Sequence, residues 1–267
     1  VVTVQDFLDS LQHITPEHLA EDWDNIGLLV GDPQQPVQRI LLALDPACSL
    51  IDQALNGCYD LILTHHPIIF RPLKALRTDT PTGRFIAAAT RHHISVIACH
   101  TNLDVINGGV SDFLAQALGL EHCQPLVPSR RGSDATCGLG RLGDYAAPIM
   151  AEDFLNRVRQ ICAPPWILEA GPRPDRVERV AVCGGSGSDL AESAQRLGAD
   201  VLLTAEVKHS VARWAEDAGL WLLDAGHFTT EHPAMVLFRD RLRQAARDHG
   251  WDLIIDTAHQ VPPLRLA

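Results

Sequence analysis

The chain has no Cys-x-x-Cys pair. Its seven cysteines, Cys48, Cys58, Cys99, Cys123, Cys137, Cys162 and Cys183, form an odd set, and several lie in apolar, strand-like runs. That pattern fits reduced, buried thiols that pack as small hydrophobes. Long apolar runs are missing as well: 40–44 and 201–203 fall far short of the roughly 20 residues of a membrane-spanning helix. No basic-then-apolar leader opens the sequence, so a cytoplasmic protein without a membrane partner is expected. Basic charge is scarce. The 22 Lys and Arg face 33 Asp and Glu for a net charge of −11, and no basic run interleaves with aromatics, so general nucleic-acid binding is not expected. What remains is globular material, 267 residues with 46% hydrophobic and 21% charged content, enough for one large domain or two tightly joined ones.

Apolar strand runs alternate with helical patterns, which predicts an α/β fold with largely parallel strands. An internal repeat organises them. Val37-Gln38-Arg39-Ile40 returns as Val177-Glu178-Arg179-Val180, and Asp60-Leu61-Ile62-Leu63-Thr64 returns at the same offset as Asp200-Val201-Leu202-Leu203-Thr204. A helix is predicted between the two matches in each copy, over 48–56 and 189–197. Because the match keeps Arg, Asp and Thr besides apolar positions, we read two similar α/β halves. A Pro-punctuated excursion is expected over 70–83. The Ser-, Gly- and Arg-rich stretch 125–143 reads as the joint, giving halves at 1–127 and 151–267 with a linker over 128–150.

In parallel α/β sheets, sites gather at the carboxyl ends of the strands. His65 and His66 follow the predicted strand 60–64, and His100 and Asp104 follow 94–99. Glu206 and His209 follow 201–204, and His227 and Glu231 follow 221–224. All four clusters are expected on the same rim, whereas His92 and His93 precede their strand and belong to the opposite one. Adjacent His65 and His66 leave a strand pointing apart, which suits two cations better than one. Asp104 and Glu231 add carboxylates, and His227 completes a nitrogen and oxygen donor set for two divalent ions: zinc, iron, manganese, cobalt or nickel. His227 is expected in a loop, with Thr230 capping a helix whose first turn holds Glu231. His100, His209 and Glu206 are candidates for proton transfer or support.

Gly185, Ser186 and Gly187 follow a strand and open a helix, where backbone amides can receive a phosphate, with Lys208 as a neighbouring cation; a tight turn explains the glycines equally well. Trp23 and Asn25 frame an unusual Trp-Asp-Asn turn before an apolar strand, and stand as substrate contacts or as a capped turn.

Four motifs in order, Trp23-Asp24-Asn25-Ile26-Gly27-Leu28, Leu63-Thr64-His65-His66-Pro67, His100-Thr101-Asn102-Leu103-Asp104 and Gly226-His227-Phe228-Thr229-Thr230-Glu231, resemble the Nif-three-like dinuclear-metal family. Its bacterial members are often labelled GTP cyclohydrolase I type two homologues. The resemblance spans nearly the whole chain. It implies two intertwined α/β repeats with mixed, largely parallel sheets and a metal site between them, with His65, His66, Asp104, His227 and Glu231 as ligands. It also implies a homohexameric ring and a small-molecule substrate, a nucleotide if the label holds, whose guanine imidazole ring is opened with loss of formate. A metal-dependent phosphoesterase and a non-catalytic, regulatory metal-binding ring are the alternatives. Ala205 departs from the glycine common in the family before the acidic residue matching Glu206, and Ala is closed to backbone shapes that Gly permits.

Overall fold

The computed structural model describes residues 1–131 and 134–267. The chain divides into two compact units, one of Val1–Leu103 with Met235–Gln260, the other of Asp104–Ala234 with Val261–Ala267. The chain therefore leaves the first unit and returns to it.

In the first unit, β1 (Gly27–Val30), β2 (Arg39–Ala43), β3 (Leu61–Thr64) and β4 (Ser95–Ala98) join the Ile254–Thr257 strand in a five-stranded sheet. The order is β1, β4, β3, β2, then Ile254–Thr257; only the β1–β4 pair is antiparallel. β2, β3 and β4 are apolar at nearly every position because helices cover the sheet. Leu41, Ile62 and Val96 pack with Leu50 and Ile51 of helix Cys48–Asn56 and Phe85 of helix Pro81–Arg91. That last helix starts inside the expected excursion, where Thr80 caps Gly83 N–H and Pro81 occupies the first turn.

The second unit holds six strands: β5 (Glu121–Pro128), β6 (Gly138–Met150), β7 (Leu168–Ala170), β8 (Arg176–Ser186), β9 (Val201–Ala205) and β10 (Trp221–Asp224). Their order is β5-β6-β8-β9-β10-β7, with β8, β9 and β10 parallel and the flanking pairs antiparallel. Trp221 is fully buried and meets Phe154 edge-on, 6.1 Å between centroids. The segment 138–150, read from sequence within a linker, is instead the long strand β6. Its centre is apolar and buried at Leu142 and Tyr145, a signal that the surrounding Gly and Arg obscured.

The repeat is reproduced in its hydrogen bonds. Asp60 Oδ2 accepts from the amides of Gln38 and Arg39 at 2.8 and 2.9 Å, and Asp200 Oδ2 accepts from those of Glu178 and Arg179 at the same distances. The matching Asp thus ties the start of one strand to the start of the next in both units. The predicted helix 189–197 is shorter, a 3-10 turn at Ser188–Leu190 followed by Ala191–Arg196.

Cys99, Cys137, Cys162 and Cys183 are buried, while Cys48, Cys58 and Cys123 are exposed. Burial pushes the Cys99, Cys162 and Cys183 thiols up to about 12, so thiolate is negligible near neutral pH. A disulfide-exchange reagent is expected to titrate Cys48, Cys58 and Cys123 quickly in the native protein, and all seven cysteines only after denaturation. Rapid reaction of all seven under native conditions would contradict this packing.

Candidate metal centre

The carboxyl ends of β3 and β4 in the first unit carry three imidazoles. His65 and His66 continue the β2–β3 ladder past its end, donating backbone amides to Ala43 and Leu44 carbonyls at 3.1 and 2.9 Å. Thr64 Oγ1 donates to His66 O at 2.7 Å and fixes the exit. The rings of His65, His66 and His100 stand 4.8 to 5.4 Å apart between centroids. Each ring is gripped at Nδ1. His65 Nδ1 meets Cys99 O at 2.9 Å, His66 Nδ1 meets Asp45 at 2.8 Å, and His100 Nδ1 meets Asp24 at 2.8 Å. An acceptor at Nδ1 selects the tautomer protonated there and leaves the Nε2 lone pair for a cation or a proton.

Asp24 explains the Trp-Asp-Asn turn. Besides His100, its carboxylate accepts from Thr101 N–H at 3.0 Å and Thr101 Oγ1 at 2.5 Å. Burial alone would raise this carboxyl, but the hydrogen bonds from His100 and Thr101 reverse that and hold it at about 2, below its ordinary 3.8. A carboxyl depressed on folding contributes stability that is complete above the unfolded value of 3.8 and is lost as pH falls through about 2. Wild type should therefore exceed Asp24→Asn in stability at neutral pH, and the gap should close across that acid window in urea melts. A gap independent of pH would contradict the assignment. Trp23 is 59% exposed and meets Phe70 and His100 edge-on at 5.8 and 6.1 Å. Asn25 donates its side-chain amide to Ile69 O, tying the loop that carries Phe70.

In the second unit His227 and Glu231 share one short helix, His227–Glu231. The expectation that His227 lies in a loop is corrected: Gly226, at φ +82°, turns the chain so that helix begins at His227. Thr230 lies inside this helix, where Oγ1 donates back to backbone carbonyl and accepts the Gly185 amide at 3.0 Å. The pair is then four residues apart on one face, with His227 Nε2 3.1 Å from Glu231 Oε2. His227 Nδ1 faces Glu206 Oε1 at 2.8 Å. A neutral imidazole has one N–H and cannot satisfy carboxylates at both nitrogens. The arrangement calls for positive charge, either an imidazolium proton or a cation held jointly by Nε2 and Glu231. With metal–donor bonds of about 2.0–2.2 Å, neighbouring ligand atoms stand roughly 3 Å apart, and the observed spacing matches. Gly185, at φ +67°, makes room: a Cβ there would collide with Glu231 Oε1 and lie 3.1 Å from His227 Nε2. The donor set fits a divalent cation.

Other sequence candidates sit differently. The Gly185 and Gly187 amides are engaged by the hydroxyls of Thr230 and Thr204 at 3.0 and 2.9 Å, which consumes two of the donors that a phosphate would need. Ser186 pairs with Ala205 at the end of the β8–β9 ladder. Lys208 bonds both oxygens of Asp189 at 2.7 Å. His209 heads helix His209–Ala218 and lines a cavity of about 310 Å³ with Glu169, Val207, Ala212 and Leu222. Asp104 lies on helix Thr101–Val105. Positive φ falls on Glu206 (+54°), and Ala205 is an ordinary buried strand residue, so the departure from glycine creates no strain at 205. Asp45 and Asp24 went unassigned in the sequence. Asp45 follows β2 after one residue, Leu44, and the same strand-end rule would have found it.

A sequence profile of the Duf34/NIF3 (NGG1p interacting factor 3) family matches residues 2–262. The chain belongs to this family. A Streptomyces coelicolor protein named GTP cyclohydrolase 1 type 2 homolog is 34% identical over 261 residues, 97% of this chain and 92% of its own. One of the same name from Clostridium perfringens is 30% identical over 241 residues, covering 90% and 91%. Among solved structures, Staphylococcus aureus protein SA1388 superposes with a TM-score of 0.92 at 25% identity, covering 100% of this chain and 99% of its own. As in the NIF3 neighbours, the fold is mixed α/β with two sheets, and among the described residues no helix is long and apolar enough to cross a membrane.

Proposed function

We propose that this protein is a metal-dependent hydrolase in which His65, His66, Asp104, His227 and Glu231 hold two divalent cations and act on a small nucleotide-type substrate. The observation that carries the reading is the common wiring of the imidazoles: His65, His66 and His227 each have an acceptor at Nδ1, which turns Nε2 toward a ligand. Behind His66 and His227 that acceptor is a carboxylate, which a histidine that merely caps a strand does not need. Bound cations supply Lewis acidity, activating water and neutralising developing negative charge.

The relatives' name suggests GTP, with attack at C8 of the guanine imidazole ring, ring opening and release of formate. Trp23 offers an exposed aromatic face for a purine, and His100, fixed by Asp24, holds or passes a proton at Nε2. Asp45 and Glu206 position His66 and His227. A homohexameric ring belongs to the same proposal, and light scattering should return six times the 29.2 kDa chain mass. Metal-reconstituted protein given GTP is expected to release formate and develop pterin-precursor absorbance. Inorganic phosphate without formate would replace this reading with a phosphoesterase, and the absence of both products would leave a metal-binding protein without hydrolytic function.

A further inference from the structure

The ladder between β2 and the Ile254–Thr257 strand ends where Ala258 N–H donates to Leu42 O at 2.7 Å. Two residues later a side chain takes over from the backbone. Gln260 Oε1 accepts from the amides of Leu44 and Asp45 at 2.7 and 3.2 Å, and Gln260 Nε2 donates to Asp45 O at 2.8 Å. A primary carboxamide carries the donor and the acceptor of a peptide group, so it closes a strand end as a neighbouring strand would. Leu44 is fully buried, and an amide there is costly to leave without an acceptor. The residues that Gln260 holds are the ones that hold His66. Leu44 O accepts the His66 amide at 2.9 Å, and Asp45 Oδ1 meets His66 Nδ1 at 2.8 Å. Backbone and ring of one candidate ligand are thus tied to two residues anchored by a side chain 216 positions beyond Leu44. The Asp45 side chain is 39% exposed, so its direction depends on the backbone that carries it, where Asp45 O also receives the Ala47 amide at 3.0 Å.

We propose that Gln260 is a positioning residue of the candidate metal centre: its carboxamide fixes Leu44 and Asp45, and through them the direction and the tautomer of the His66 ring. An acceptor at Nδ1 keeps the imidazole proton there. Once Asp45 is free to move, that proton divides between the two ring nitrogens, and Nε2 is masked in part of the molecules. The consequence for metal affinity rests on the metal reading above, whereas the consequence for the ring in the metal-free chain does not.

The test compares full-length Gln260→Met, which keeps the side-chain length and removes its hydrogen bonds, with Gln53→Met. Gln53 is the matched control. It exchanges two hydrogen bonds with the backbone of His259, at 3.0 and 2.9 Å, so its loss loosens the same segment without touching Leu44 or Asp45. Nitrogen-15 solid-state spectra of the metal-free, histidine-labelled chain, with His66 assigned by difference against His66→Asn, give the tautomer. Wild type and Gln53→Met should show one Nδ1-protonated form, and Gln260→Met should show both forms. Zinc affinity, measured by competition with a chelating dye, should fall about tenfold in Gln260→Met, the low end for a residue behind a ligand. It should hold at the wild-type value in Gln53→Met. Should Gln260→Met fail to fold, Gln260→Asn, whose carboxamide is withdrawn by one carbon, should show the same two losses. A single tautomer or an unchanged zinc affinity in the folded Gln260 variant, or equal effects at positions 260 and 53, overturns the proposal. If wild type binds no zinc, the metal reading fails, and the tautomer comparison alone decides the role of Gln260.

Discussion

Gly185→Ala is expected to cost the protein at least half of its bound divalent metal and to lower its melting temperature by several degrees. Position 185 has φ +67°, where an L-residue carries a penalty of about 1–2 kcal/mol. The added Cβ also displaces the Glu231 carboxylate and crowds His227 Nε2, and overpacking of this kind costs about 1–3 kcal/mol. Glu231 is 3% exposed, so little room exists for its carboxylate to retreat while still facing His227. Gly198→Ala is the matched control: its φ is +77°, yet nothing lies within 4 Å of the new Cβ. It should share the backbone penalty and leave metal content at the wild-type level. Equal metal content in the two variants, measured by plasma emission after gel filtration, would remove Glu231 from the centre.

Arg141→Met is expected to destabilise the fold by about 3–5 kcal/mol, the usual cost of breaking a buried ion pair from one side. Arg141 is 2% exposed, clasps Asp112 through Nε and Nη2 at 2.7 and 2.6 Å, and donates to the carbonyls of Ile106, Gly138 and Gly140. Asp112 in turn accepts from Gly108 and Gly109 amides at the start of helix Val110–Leu118. Three carbonyls and a carboxylate therefore lose their partner together. The damage should reach Glu231, because Val110 and Ser111 of that helix pack against Gly184. Urea unfolding of Arg141→Met, Asp112→Asn and the double variant gives the coupling. A single-variant loss below about 1 kcal/mol would contradict the role assigned to this arginine.

The α/β class was legible, and the candidate ligands could be placed at strand ends, because both are written in short-range pattern. Strand runs such as 61–64 are wholly apolar, and the residues immediately after them are forced to the carboxyl rim. The repeat was equally visible, and Asp60 and Asp200 give its physical cause: each stitches two strand starts together, so both copies keep the Asp. What escaped depends on contacts distant in sequence. Asp24 grips His100 across 76 positions, and no local rule connects them. The stretch 138–150 read as a joint because glycines interrupt it, yet Gly138 lets β5 pass close by, where an added Cβ would strike Val127 O and Pro125, and Gly140 clears β8, where an added Cβ would lie 2.9 Å from Val182 O. The glycines at 185 and 187 suggested a phosphate cradle, and structurally they make space for Glu231, Thr204 and Cys183. A glycine-rich turn looks alike in sequence whether the space it opens is for a ligand or for the protein's own side chains.

The most direct test of the central claim is anomalous scattering from a crystal of metal-reconstituted protein, collected at the absorption edge of the bound element. Two peaks are expected, with His65, His66, Asp104, His227 and Glu231 all within bonding distance of one or the other. No peak beside any of these imidazoles, or peaks only elsewhere on the molecule, would contradict the claim.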